Sequence, residues 1–286
     1  MSKYNLDLDY VTPLIDISRE ELNEIIDVAD KIIHENKESP ENLAVAYLKK
    51  AQCLQKLEEE HCRNGDYSFV RHHYQYDETH KQIQTFLEKA LELFPRMPEA
   101  LMQMGKLQCD TRGIHDSFQL NDKAINMFTS ALELKPDYAA AFNNRGLEYS
   151  DFFFPEDEDR KKTISDLTEA IRIRPFDAMY YRNRGMEYLY LNEYEKGIAD
   201  LSSAINYGSD KFNKMTCIFH DRGKAYMRLK NLDKAIIDLT ESIRLRPDKN
   251  EFLLTRRDAY LKAGKKDKAK ADFDEYLRLK RGQVEA

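Results

Sequence analysis

Four stretches of this chain can be laid over one another residue by residue, and that match constrains the fold more than any bulk property does. They are Phe142-Asn-Asn-Arg-Gly-Leu-Glu-Tyr149, Tyr181-Arg-Asn-Arg-Gly-Met-Glu-Tyr188, Phe219-His-Asp-Arg-Gly-Lys-Ala-Tyr226 and Leu253-Leu-Thr-Arg-Arg-Asp-Ala-Tyr260. Each is followed by a second pattern, Leu167-Thr-Glu-Ala-Ile, Leu201-Ser-Ser-Ala-Ile, Leu239-Thr-Glu-Ser-Ile or Phe273-Asp-Glu-Tyr-Leu, and then by Pro175, Ser209, Pro247 or Arg281. Parts that recur in fixed order make small supersecondary units, each burying its apolar face against the next. Glycine at 105, 146, 185 and 223 has no Cβ, so a partner helix can approach closely there, and the aromatics three or four residues to either side fill the space between helices. Proline after the second pattern ends that helix, and Asp137, Asp177 or Asp248 can cap the next one.

This order of parts resembles the tetratricopeptide repeat. The resemblance implies an all-α fold, a right-handed superhelical solenoid of helix-turn-helix repeats in which a helix A and a helix B alternate. The glycine column is spaced by 41, 39, 38 and 34 residues, the last step ending at Arg257. Against the family period of about 34, the excess marks insertions around Thr111–Phe118, around Phe152–Asp159 and near Lys211–Met215. Upstream the pattern is looser: Tyr47, Ala51 and Leu54 make a helix A, and Phe86, Ala90 and Pro95 complete its helix B late. Ser18-Arg-Glu-Glu21 reads as a capping box with Ile17 and Leu22 as a hydrophobic staple, opening a helix whose stripe is Leu22, Ile25, Ile26, Ala29, Ile32 and Ile33. The expected organisation is an N-terminal extension (1–17) and one solenoid domain (18–286). That domain has a capping helix at 18–36 and six repeats at about 40–97, 98–138, 139–177, 178–211, 216–249 and 250–281.

Composition removes other classes. Ten Gly and eight Pro in 286 residues leave little for the turns of an all-β chain, and 42% hydrophobic with 34% charged residues fits a folded, water-exposed protein. The first residues, MSKYNLDLDYV, hold no apolar core of signal-peptide length. No later run approaches the roughly 18 apolar residues that span a bilayer, so the expected location is cytoplasmic. Cys53, Cys62, Cys109 and Cys217 include no C-x-x-C pair and make no disulfide framework. Net charge is −6. The chain is acidic over its first hundred residues and mildly basic after 250, which is not the concentrated basic face of a nucleic-acid binder.

Repeats three to six carry arginine before the glycine column (Arg145, Arg184, Arg222, Arg256) and aspartate in helix B (Asp166, Asp200, Asp238, Asp272). The first two repeats have Lys50 and Met104 in the arginine column and Thr85 and Met127 in the aspartate column. The two residue types come and go together. Pairing between neighbouring repeats would set Arg145 against Met127 and strand Asp272; pairing within a repeat satisfies all four, so the arginines read as structural.

The resemblance also implies that the A helices line a concave groove that holds a peptide or protein segment. The groove candidates are Asn143 and Leu147; Met179, Arg182, Met186 and Leu189; and His220, Lys224 and Met227, apolar ground with scattered polar groups. Alternatively these residues pack against one another. The family's clamp for chaperone C-terminal tails does not fit, because its cation and asparagine places hold Met102, Met179, Leu147, Asp221 and Glu251 among others. His61, Cys62, His72, His73 and His80 cluster in the first insertion, but without a recognised metal spacing, and Phe69, His73, Tyr76, His80, Ile83 and Leu87 share one helical stripe. A long helical hairpin is expected there, and no metal. Phe152-Phe-Phe-Pro155 before Glu156-Asp-Glu-Asp159 is either an interaction knob or a tucked insertion. Phosphate-loop, nucleophile-elbow and zinc-protease patterns are missing, so neither an enzyme nor a cofactor is expected. The expected function is a protein-interaction scaffold, monomeric, for a partner the sequence does not identify; a self-assembling module is the alternative, and a metal-binding regulator a third.

Overall fold

A computed structural model describes residues 17–35, 37–63, 69–110, 122–150, 155–208 and 215–284. Among them it contains thirteen helices and no strand. They form two compact units, residues 1–154 and 155–286. The first holds α1 (Arg19–Glu35), α2 (Pro40–Arg63), α3 (Phe69–Leu93), α4 (Pro98–Asp110), α5 (Asp122–Leu134) and α6 (Ala139–Ser150). The second holds α7 (Asp157–Ile173), α8 (Ala178–Tyr190), α9 (Tyr194–Tyr207), α10 (Met215–Arg228), α11 (Leu232–Leu245), α12 (Glu251–Lys262) and α13 (Lys266–Val284). The even-numbered helices are the A helices of the six repeats, the odd-numbered ones from α3 the B helices, and α1 stands alone before them.

In the first unit α1 starts as its sequence predicts. Ser18 N–H donates to Glu21 Oε2 at 2.9 Å and Glu21 N–H to Ser18 Oγ at 3.3 Å, the reciprocal bonds of a capping box. Ile17 packs with Leu22, Ile25 and Cys53, closing α1 onto α2. The first repeat is a long hairpin: α2 has 24 residues and α3 has 25, against 13 and 14 for α8 and α9. Leu48, Ile83, Leu87 and Leu107 join α2, α3 and α4 in one core, and Phe128 with Met102 and Ala141 continues it through α5 to α6. At Gly105 a Cβ would stand 2.5 Å from the fully buried Phe128 ring, which is why this place in the column admits no side chain.

In the second unit Leu167, Leu201 and Leu239 fill equivalent places in successive B helices and are fully buried. The turns from A to B share one geometry. Asn192, Lys230 and Gly264 all have positive φ (59°, 59° and 72°). The residue after each donates its N–H to a tyrosine carbonyl in the last turn of helix A: Glu193 to Tyr188 (2.8 Å), Asn231 to Tyr226 (2.9 Å) and Lys265 to Tyr260 (2.9 Å). This is a left-handed helix stop that satisfies carbonyls otherwise left open. Of the expected aspartate caps, Asp177 accepts from Met179 N–H at 3.1 Å. Asp248 does not cap: Arg246 holds both its oxygens at 2.8 Å, and that ion pair draws its carboxyl pKa down to about 2.

In each unit consecutive A helices touch (α2 with α4, α4 with α6; α8 with α10, α10 with α12), while no two consecutive B helices among the described residues make comparable contact. Each stack therefore closes more tightly on its A side.

Candidate functional site

The residues that hold the repeats together must be set aside before the inner faces can be read. Arg184 donates from Nε to Asp200 Oδ2 at 2.7 Å and from Nη2 to Oδ1 at 2.9 Å. Arg222 does the same to Asp238 (2.7 and 2.8 Å) and Arg256 to Asp272 (2.9 and 2.6 Å). All three pairs lie within a repeat, as the presence-and-absence pattern requires. Hydrogen bonding to the carboxylate and its charge raise the pKa of these guanidinium groups against the opposing effect of burial. The fourth expected pair, Arg145 with Asp166, joins residues of different units and stays an expectation; Arg145 Nη1 donates to Thr129 Oγ1 at 3.2 Å.

That last bond belongs to a column the sequence reading missed. Arg184 Nη1 reaches Thr168 Oγ1 (3.1 Å), Arg222 Nη1 reaches Ser202 Oγ (2.9 Å) and Arg256 Nη1 reaches Thr240 Oγ1 (3.1 Å), each on the B helix of the preceding repeat. Thr168, Ser202 and Thr240 each donate their own hydrogen to the carbonyl four residues back, at 2.7 Å. A hydroxyl has one hydrogen; with that hydrogen engaged, it can only accept from the guanidinium. Aromatics of the repeated segment flank the cation: Arg184 lies 5.8 Å from the Tyr181 ring and 6.0 Å from that of Tyr188, and Arg222 lies 5.7 Å from Phe219. In the first repeat Lys50 takes the arginine's place, pairs with Asp30 of α1 and sits over the Phe86 ring at 4.6 Å. These cations face between helices rather than out of the inner face. A further link, Arg160 to Glu187 at 2.8 Å with Tyr190 stacked under the guanidinium at 4.4 Å, ties α7 to α8; nothing repeats it along the sequence.

The candidate groove residues divide between the units. In the first, Asn143 is buried and donates to Asn144 Oδ1 at 2.9 Å, while Leu147 is half-buried on the same helix. In the second, Met179, Arg182 and Met186 are half-buried on α8. Leu189 packs over Gly197 of α9, where a Cβ would meet its Cδ2 at 2.4 Å, so it serves the core as well as the face. His220 bridges α10 to α12: its ring stacks on Phe252 at 4.5 Å and Nε2 lies 3.0 Å from Thr255 Oγ1. Lys224 is exposed, Met227 half-buried and Cys217 exposed on α10. Among the described residues Arg182 hydrogen-bonds to Asn183, Nη1 to Oδ1 at 3.4 Å, and its Nε is shielded from water with no acceptor.

The Cys53 thiol is buried between α1 and α2, and burial pushes its pKa up to about 12 despite Lys49 one turn away, whose own pKa burial lowers. Such a thiol stays protonated and is a poor nucleophile. Among the described residues no group of three or more His, Cys, Asp or Glu is placed to hold a metal ion. Of the histidine-rich hairpin, His80 is buried with Nδ1 3.3 Å from Glu58 Oε2. The side chains of His61, Cys62, His72 and His73, like Phe152–Phe154 and most of the other two insertions, lie outside the described residues. No helix among the described residues is long and apolar enough to cross a membrane.

The sequence model of one family, the tetratricopeptide repeat, matches residues 218–249, which is the fifth repeat. No curated protein sequence matches the chain. Among solved structures, MamA superposes with a TM-score of 0.55 at 19% identity, covering 64% of this chain and 98% of its own. YrrB, described as a TPR protein with an unusual peptide-binding site, gives 0.55 at 16% identity over 68% and 91%. The APC/C hetero-tetramer Cut9–Hcn1 gives 0.60 at 15% identity, covering 91% of this chain and 43% of that one. At these identities the likeness is one of fold.

Proposed function

We propose that this chain, whose fifth repeat matches the tetratricopeptide model, is a non-catalytic scaffold that holds a peptide or protein segment on the inner faces of its A helices. The observation that carries this reading is a division of labour among side chains. The leucine, glycine, arginine–aspartate and hydroxyl columns are all consumed in joining helices. Met179, Arg182, Met186, Lys224 and Met227 are not, and they remain open or half-open on α8 and α10. Methionine adapts to partners of different shape, and a few polar groups on apolar ground give such a surface its selectivity. A likeness in fold to a protein described as having a peptide-binding site is consistent with this use.

The test is affinity capture with the full chain. Arg182→Glu or Lys224→Glu should abolish capture of the partner while leaving the melting temperature almost unchanged, because neither side chain holds a carboxylate or the core. Capture that survives both substitutions moves the binding surface to the B-helix side or to the insertions.

A further inference from the structure

Along one edge of the second unit the turns from helix A to helix B stand side by side. Lys265, in the turn of repeat six, reaches Asp233, in that of repeat five, at 3.4 Å. Their composition is lopsided. Residues 228–234 and 262–268 hold Arg228, Lys230, Lys234, Lys262, Lys265, Lys266 and Lys268 against Asp233 and Asp267, and all seven cations are exposed. Lysines without a carboxylate partner are spread over the whole unit; what distinguishes this edge is the apolar material set among them. Leu229 is 38% exposed and Leu261 52%, each where helix A gives way to its turn. The corresponding turn of repeat four carries Tyr190 but sets Glu193 and Glu195 against Lys196, so the basic stretch ends there.

Two features of this edge cost stability. Lys230 sits in the left-handed region, φ 59°, where repeat four has Asn192 and repeat six Gly264, and a lysine is strained there. Lys234 stands in the first turn of α11, and Lys266 and Lys268 in that of α13, where the helix dipole disfavours a cation. None of these four ammonium groups meets a carboxylate among the described residues; Lys234 and Lys268 lie over the Tyr226 and Tyr260 rings at 5.5 and 5.9 Å. Backbone strain and misplaced charge in one place point from the fold towards a function.

From this edge we infer that the turns of repeats five and six seat the protein on the surface of an anionic membrane. Leu229 and Leu261 enter the acyl boundary and the lysines around them lie among the headgroup phosphates. The exposed leucines choose between polyanions: a nucleic acid backbone offers them nothing, whereas a leaflet receives an apolar side chain at any point along the row. Lysine suits the place, since its stem lies along apolar surface while the ammonium stays in water. No spanning helix is needed for such an attachment, and it does not use the inner face.

Co-sedimentation of the full chain with vesicles tests this, using phosphatidylcholine alone and phosphatidylcholine with one third phosphatidylserine. The chain is expected to pellet with the second kind and not the first, and less as salt is raised. Each basic side chain near such a surface contributes about fivefold to partitioning, so Lys262→Gln/Lys266→Gln/Lys268→Gln is expected to lower it about a hundredfold. Leu229→Ser/Leu261→Ser is expected to lower it about tenfold with the salt dependence unchanged, which a purely ionic contact would not do. Lys230→Gly should bind more weakly while melting higher. Equal pelleting with neutral vesicles, or none with either kind, overturns the inference, and so does binding that withstands the lysine substitutions. Binding indifferent to both leucines also overturns it, leaving a general polyanion patch in place of a membrane seat. Unchanged melting temperatures of the lysine and leucine variants keep unfolding from imitating the expected losses.

Discussion

A single guanidinium in this fold answers to two helices at once. Arg184 holds Asp200 in its own repeat and Thr168 in the one before, with the pair largely withdrawn from water (side chains 17% and 10% exposed). Removing one member of a buried pair strands the other, whereas an exposed pair contributes under about 1 kcal/mol. Asp200→Ala is therefore expected to lower stability by roughly 2–4 kcal/mol in urea unfolding. Replacing Arg184 with methionine as well should recover part of the loss, since neither charge is then stranded. A loss below about 1 kcal/mol would class the pair with surface bridges. The aspartate half of this arrangement was legible because arginine and aspartate are present together or absent together. The hydroxyl half was in plain view as the second letter of Leu-Thr-Glu, Leu-Ser-Ser and Leu-Thr-Glu, but a threonine or serine in a polar stretch reads as solvated surface. Only the distance to the next repeat gives it a role. The selective pairing of arginines was equally hidden. Arg182 and Arg184 differ by two positions, which turns them about 200° apart around α8; one is locked into the stack and the other is left open.

At the scale of helices and turns, Asn192, Lys230 and Gly264 occupy one left-handed position. Glycine takes that conformation freely and asparagine tolerates it, but lysine pays for its Cβ with strain. Lys230→Gly is expected to stabilise the chain by roughly 0.5–1 kcal/mol, seen as a rise of about 2 °C in melting temperature. No rise would mean that the cost in this turn is carried by something other than φ. Helix starts were read well where the signal is local and reciprocal, as at Ser18 and Glu21. They were misread at Asp248, because a cap was inferred from aspartate after proline while Arg246, two residues back, offers that carboxylate two charge-assisted bonds. The long first hairpin followed from apolar periodicity that simply continues past the family length, through Ile83 and Leu87 to Ala90.

For the molecule as a whole, the ends matter most, since a stack of like repeats can in principle recruit another stack. Along α13, Lys266, Lys268, Lys270, Asp274, Arg278 and Lys280 are exposed. Arg257, where other repeats have glycine, lies 5.4 Å from the Phe273 ring, and Phe273 is 39% exposed where its counterparts are fully buried leucines. A last helix of mixed charge with a loosened aromatic is a poor surface to stack on. Light scattering over a range of concentrations is expected to return the mass of one chain; a mass that doubles with concentration would identify this face as a joint. The glycine column marked the middle repeats in the sequence, while the first and last were read from the residues around Ala51 and Arg257; the chemistry of the partner was not legible.

The hydroxyl column has a last consequence, for how such a chain can change length over generations. Every arginine of the ladder looks backward to a serine or threonine, and any of these will serve. A gene that lost the stretch from one interrepeat loop to the next, say the whole of repeat five, would bring Arg256 opposite Ser202 instead of Thr240. It would find there the same kind of oxygen in the same place. The joints are written in a common script, so copies can be gained or dropped without a new seam being invented. Side chains such as Met179, Arg182, Met186 and Lys224 are freer to diverge from copy to copy because the ladder does not depend on them, whereas His220, which bridges α10 to α12, is not.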